Sequence, residues 1–315
     1  MKKKLYSSLV LLTMAILIIN IFIKSSSLTE IITFSCNLFI KNIFPSLFPM
    51  FIISSVLVEL GIPNILGSFF QGITSKLFKT KGSASFVFFM SMITGFPSSA
   101  KYISDLLDKR IINEQDAEKI LMFTFFSNPL FILNTVGNIF YKSTKIGIIL
   151  LTSHITGNII IGLIFRNYNK QKYIIKENKK IDELKKLNNK INSENIFKIF
   201  FKSINSSLEI LTSIFGIVTF FLILINLIFK NPHNLYQVLI TGILEMTTGL
   251  KYLSIMNINL KIKLVISSFF LSFGGLSVHS QIINILEKKK VKYLPFLIAR
   301  IMHGIISSTI MYIIL

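Results

Sequence analysis

The chain is divided into apolar blocks, most of them close to the length of a bilayer crossing, and its charges are gathered between the blocks. A helix needs roughly 20 consecutive apolar residues to pass through a hydrocarbon core about 30 Å thick. Only 15% of the residues are charged and 52% are hydrophobic, whereas a soluble domain carries about 25% charged residues. Lipid is therefore the solvent. Without water to satisfy backbone N–H and C=O groups, the spanning elements must be helices or a closed barrel, and blocks of this length point to helices. The fold class expected is an all-α polytopic membrane protein.

A net charge of +20 would suit a nucleic-acid binder if it formed a stripe on a soluble domain. Here the densest basic stretch is one polar segment, residues 166–202, with eleven Lys or Arg against four acids. Its place between apolar blocks marks it as a cytoplasmic loop, held there by the positive-inside rule and by anionic headgroups. The partner implied is the lipid bilayer, and no nucleic acid. Cys36 is the single cysteine, so an intrachain disulfide or a cysteine zinc cluster is excluded. Lys2 to Lys4 followed by an apolar run over 5–23 reads as a start-transfer helix that stays in the protein.

Four regions are expected: an N-terminal transmembrane helix (1–30), a first repeat with its linking helix (31–165), the basic loop (166–202) and a second repeat (203–315). In the first repeat, Pro45 and Pro49 interrupt block 31–60 and kink it. Residues 63–78 place Ile65, Phe69, Ile73 and Leu77 one turn apart, as in an amphipathic helix at the interface. Block 84–94 stops at Gly95-Phe96-Pro97 and reads as half of a re-entrant hairpin or broken span. Block 119–141 is interrupted at Ser127-Asn128-Pro129, and 146–165 closes the half.

The second half repeats this order: a long block over 204–229, a short one over 235–254, a broken one over 264–287, and a last over 294–315. Because the two halves begin on opposite sides of the membrane, they read as inverted repeats with discontinuous helices, the pattern that points to a transporter site near the midplane. One conflict remains at this level. Lys288, Lys289, Lys290 and Lys292 fall outside if 264–287 re-enters, and inside if it crosses.

The breaks supply the candidate site residues. Gly95, Pro97, Ser98, Ser99 and Lys101 offer free backbone N–H groups, the positive end of a half-helix and a full charge, which suit an anion; the bland reading is a surface loop with a snorkelling lysine. Gly274, Gly275, Ser277, His279 and Gln281 offer flexibility, a hydroxyl, an imidazole and an amide, or else a glycine-mediated helix contact. Ser127 and Asn128, and Glu245, Thr247 and Thr248, are less specific. A carboxylate such as Glu245 in an apolar segment is costly unless paired or hydrated, although it would equally serve as a helix cap.

No Gly-rich phosphate loop and no His-Glu-x-x-His motif is present, so nucleotide-driven pumping and zinc proteolysis have no support. Ser277 with His303 is the remaining enzyme reading, a nucleophile and base in an intramembrane protease. The chain is read as a transporter, not an enzyme, with no cofactor and no metal.

The motifs Asn42-Ile43-Phe44-Pro45-Ser46-Leu47-Phe48-Pro49, Gly95-Phe96-Pro97-Ser98-Ser99-Ala100-Lys101, Ser127-Asn128-Pro129-Leu130-Phe131-Ile132, Glu245-Met246-Thr247-Thr248-Gly249 and residues 272–281 occur in this order. Together they resemble the YlbJ-type (SpoVV) sporulation integral membrane proteins of the nucleoside-recognition Gate superfamily. Phe125, Phe126 and Thr248 depart from the pattern, where small or polar residues and an Asn are expected. The resemblance implies a multi-pass protein of the outer forespore membrane, made in the mother cell, that moves dipicolinic acid toward the spore. Two alternatives accompany it: a permease for nucleosides or other small metabolites, and a non-transporting assembly factor in spore maturation.

Overall fold

The computed structural model describes residues 25–169, 196–229 and 231–315. Helices make up the architecture, and the described residues contain no strand. The N-terminal helix expected over 5–23, and most of the basic loop, lie outside the described residues. Among the described residues, five helices are long and apolar enough to cross a membrane: Leu28–Leu60, Thr144–Asn167, Ile196–Ile228, Leu260–Lys289 and Tyr293–Ile314.

The first of these bends at its prolines. A π-helical turn, Phe39–Ile43, precedes the helix Phe44–Leu60; Pro45 lies in its first turn and Pro49 inside it. Proline removes a donor and pushes on the preceding turn, and a π turn is one way a helix absorbs such a misfit. Gly61, in the left-handed region at φ 87°, ends the helix and turns the chain into Ile62–Leu77. That amphipathic helix leaves Phe69, Ile73 and Leu77 exposed and buries Ile65. The helix expected over 63–78 is present, with Ile65 turned inward from the other three.

Ala84–Thr94 and Ser98–Asp108 form a hairpin about Gly95-Phe96-Pro97. Its two ends meet, since Lys81 Nζ donates to the Ile111 carbonyl at 3.2 Å. The next element starts earlier than the apolar pattern suggested. Asn113 and Asp116 form a reciprocal capping box that begins the helix Glu114–Phe123, satisfying two orphan N–H donors. Residues 124–128 are then non-helical, and the π-helical segment Phe131–Phe140 follows. Gly137 and Gly147 let this segment press on the helix Thr144–Ile164, because a Cβ on Gly137 would stand 2.8 Å from the Gly147 Cα. Small residues of this kind are how helices approach where lipid removes the hydrophobic drive.

In the second half, residues 235–254 are not one short segment but two half-helices, Leu235–Leu244 and Met246–Ile255, broken at Glu245 and packed on each other. Leu260–Phe273 and Gly275–Leu286 follow, broken at Gly274 and Gly275, both at positive φ. The far end of this element lies where the basic loop begins. Lys289 pairs with Asp108, the Lys292 N–H donates to Glu118 at 3.2 Å, and Tyr168 and Asn169 donate to the same carboxylate at 2.8 and 3.0 Å. Lys288 to Lys292 thus share a face with Tyr168 and Asn169.

The halves pack reciprocally. Thr144–Ile164 crosses Leu260–Phe273 while Tyr293–Ile314 crosses Glu114–Phe123; Ser98–Asp108 meets Gly275–Leu286 while Met246–Ile255 meets Phe131–Phe140. Two apolar clusters fill this bundle, one around Phe86, Ile103, Ile120 and Phe125, the other around Val136, Leu150, Leu264 and Phe270. A third cluster, Leu47, Phe51, Leu211, Ile214, Val218 and Leu222, joins the bent helix Leu28–Leu60 to Ile196–Ile228. These two long helices form an arm set against the bundle.

Candidate functional site

A cavity of ≈ 650 Å³ lies between the arm and the breaks of the bundle. Four interrupted elements reach it. The first hairpin contributes Thr94, Phe96 and Pro97; the interruption after Glu114–Phe123 contributes Asn128, Phe131, Asn134 and Thr135; the second hairpin contributes Glu245, Met246 and Thr247; and Gly275–Leu286 contributes Ser277 and Gln281. The arm supplies Lys41, Asn42 and Ser46.

Each break is held by its own chemistry. Gly95 adopts φ 78°, and a Cβ there would fall 2.6 Å from the Asn128 backbone nitrogen, so only glycine lets the hairpin tip touch the neighbouring break. Asn128 caps the helical turn that follows it, accepting from the Leu130 and Phe131 N–H groups at 2.8 and 3.2 Å. Glu245 is nearly buried and caps Met246–Ile255, accepting from the N–H groups of Thr247 and Thr248 at 3.0 and 2.7 Å and from the Thr248 hydroxyl at 2.7 Å. A carboxylate is stabilised there by the positive end of the helix. Glu245 thus caps its helix and also lines the cavity.

The other candidates are placed around the cavity, not on it. Lys101 is fully buried, donates to Ser55 Oγ and to Asp105 Oδ2 at 2.5 Å each, and does not line the cavity. Ser98, Ser99 and Ser127 are buried behind the breaks, and Gly274 and Gly275 provide the turn. His279 points back into the bundle, with Nε2 donating to the Phe273 carbonyl at 2.9 Å and Nδ1 2.7 Å from the Tyr293 hydroxyl. Thr248 faces a smaller cleft on the far side of the second hairpin. Pro97, Asn128, Glu245, Thr247, Ser277 and Gln281 are the candidates the cavity gathers.

A buried polar network stands behind them. Arg300, fully buried, donates to the carbonyls of Met122 and Phe125 and to Asn158 Oδ1. It sits at the carbonyl end of Glu114–Phe123, where the helix dipole favours a cation. His303 is 2.9 Å from Arg300 through Nδ1 and donates from Nε2 to the His154 carbonyl at 2.8 Å. His154 Nε2 accepts from the Ser127 N–H at 2.9 Å. His303 spends both nitrogens on Arg300 and the His154 carbonyl while Ser277 lies on the cavity wall, so no hydrogen bond joins the nucleophile and base of the protease reading.

Sequence reasoning did not single out Lys41, Asn42, Asn134 and Thr135, which also line the cavity. Each is a polar residue inside an apolar block, which is itself a functional signal in a membrane span. Among the described residues, no carboxylate pairs with Lys41.

The Gate family, described as nucleoside recognition, matches residues 40–144, from the π turn beside Lys41 to the start of Thr144–Ile164. No solved structure matches the chain. The sporulation integral membrane protein YlbJ of Bacillus subtilis (strain 168) is 31% identical over 294 residues, which cover 84% of this chain and 72% of the relative. The chain is an integral membrane protein belonging to the family of the sporulation protein YlbJ.

Proposed function

We propose that the protein is a transporter for a small organic anion, bound in the cavity between the arm and the breaks. The observation that carries this reading is Lys41. It lines the cavity without a carboxylate partner among the described residues and stands inside the apolar helix Leu28–Leu60; at the centre of such a helix a lysine costs about 2.5–3.5 kcal/mol on insertion scales. An anionic ligand offsets that cost. The amino-terminal end of Ser98–Asp108, beginning beside Pro97, adds a second attraction, and the amides of Asn42, Asn134 and Gln281 with the rings of Phe96 and Phe131 suit a planar ligand carrying several acceptors.

Dipicolinate is the anion proposed. It is a planar dicarboxylate, and the relative's name connects that protein with sporulation; the corresponding place for this chain is the outer forespore membrane. Reciprocal packing of the halves supports reading them as inverted repeats, in which the hairpin at Gly95 corresponds to the hairpin at Glu245 and 114–140 corresponds to 260–286. Both members of each pair would then run in opposite directions through the bilayer, the arrangement expected for alternating access. The match described as nucleoside recognition and the amide-rich lining favour one second reading, a nucleoside permease.

Uptake of labelled dipicolinate and labelled uridine into vesicles containing the purified protein separates the two. Dipicolinate uptake that falls at least tenfold in Lys41→Met supports the anion reading. Uridine uptake that is indifferent to Lys41→Met supports the permease. Uptake of neither solute, with the protein inserted and folded, leaves the assembly-factor reading and overturns transport of both.

A further inference from the structure

On the face where Tyr168 and Asn169 lie, the seam between the arm and the bundle is a polar zipper. Ser55 and Glu59 are four residues apart on Phe44–Leu60, and they face Lys101, Asp105 and Lys109, spaced by four along the second half of the first hairpin. Ser55 Oγ donates to Asp105 Oδ2 at 3.1 Å and accepts from Lys101 at 2.5 Å. Glu59 pairs with Lys109 of the hairpin and, at 3.1 Å, with Lys202 of the other arm helix. One carboxylate thereby ties both arm helices to the hairpin. The row starts one turn beyond Pro97, which lines the cavity, and ends at the exposed Lys202.

At the other end of the arm the corresponding seam is open. A cleft of ≈ 260 Å³ separates Glu30, Phe34, Leu222 and Asn226 of the arm from Thr248, Lys251 and Tyr252 of the second hairpin. Glu30 and Lys251 both line it, and no ion pair joins them. The same two bodies are bolted together by charge at one face and stand apart at the other.

We propose that Ser55, Glu59, Lys101, Asp105, Lys109 and Lys202 form a gate that shuts the cavity from the face bearing the basic loop, and that Glu30 and Lys251 form the opposing gate, closing when this one opens. Ion pairs suit the task. The attraction between half-buried charges is nearly balanced by the cost of removing them from water, so a modest displacement of the arm exchanges one set for the other at little net cost. The proposal rests on the cavity being the transport site, and its test requires no solute.

In a Cys36→Ser background, a single cysteine replaces Thr135 on the cavity wall, and reconstituted vesicles of defined orientation are treated with a membrane-impermeant maleimide from either face. With Glu59 intact, labelling is expected only from the face opposite the basic loop. Glu59→Gln should raise labelling from the loop face at least tenfold, and the exchange Glu59→Lys with Lys109→Glu should return it toward the starting level. Loop-face labelling that Glu59→Gln leaves unchanged overturns the gate, as does labelling from neither face. Should the gate behave as expected while neither dipicolinate nor uridine is carried, the substrate assignment fails and the gate stands.

Discussion

Asn128 and Thr94 join two separate breaks: the Asn128 side-chain nitrogen donates to the Thr94 carbonyl at 3.2 Å, closing the end of Ala84–Thr94 against the start of the next half-helix. The same side chain uses its oxygen as a cap. One residue therefore fixes the distance between the hairpin tip and the 124–128 interruption.

Asn128→Ala should remove the cap, worth about 1 kcal/mol, and leave the Thr94 carbonyl without its donor, a further loss of about 1–3 kcal/mol. Asn128→Asp keeps the accepting oxygens and should lose less. Thermal unfolding in detergent measures both, and equal stability of the alanine variant and the parent would show that the tie carries no load.

Lys101 is expected to matter through Asp105. Lys101→Met leaves that carboxylate facing a buried seam, and the loss should be about 3 kcal/mol, the low end for a broken buried pair, because Asp105 keeps 18% of its side chain exposed. Lys101→Met combined with Asp105→Leu should recover most of it. If the single variant is as stable as the parent and loses only dipicolinate binding, Lys101 is a ligand group, as the sequence alone suggests.

Arg300 closes the carbonyl end of Glu114–Phe123 from a position on the last helix. Arg300→Met should strand the Met122 carbonyl and the Asn158 side-chain oxygen, each unsatisfied group costing about 1–3 kcal/mol, while the Phe125 carbonyl keeps the Asn158 amide at 2.6 Å; Arg300→Lys should retain part of the bonding and fall between. Expression and unfolding temperature in the order parent, lysine, methionine would bear this out; a methionine variant equal to the parent would refute it.

Sidedness can be read directly. With Cys36→Ser, cysteines at Lys288 and at Asn257, both exposed, should react with an impermeant maleimide from opposite sides of the membrane, and the Lys288 position should share its side with a cysteine at Asn188 in the basic loop. Labelling of positions 288 and 257 from one side would require 260–286 to re-enter and would remove the inverted arrangement.

How far the sequence could be read depended on what kind of residue made each feature. The breaks at Gly95 and Gly274 were visible because glycine and proline punctuate a helix by their own backbone chemistry. The Glu245 break was visible only as a polar cluster, since the turn there is made by a carboxylate capping its own helix and no glycine or proline marks it. Lys101 looked like a substrate charge because a charge in an apolar context demands a partner, and its partners come from Asp105 one turn on and from Ser55 on a distant helix. Lys41 was passed over for the opposite reason. Its block was read as a kinked span, and only the tertiary fold shows that the kink turns this lysine toward a cavity.

The self-capping of Met246–Ile255 has a consequence for how any anion could sit. Glu245 already fills that positive helix end with its own carboxylate oxygens, so on the transporter proposal an incoming carboxylate would be turned from it toward Lys41 and the beginning of Ser98–Asp108. The two sides of the chamber are then electrically unlike, one satisfied from within and one waiting. A ligand entering such a chamber has a head and a tail before it makes its first hydrogen bond.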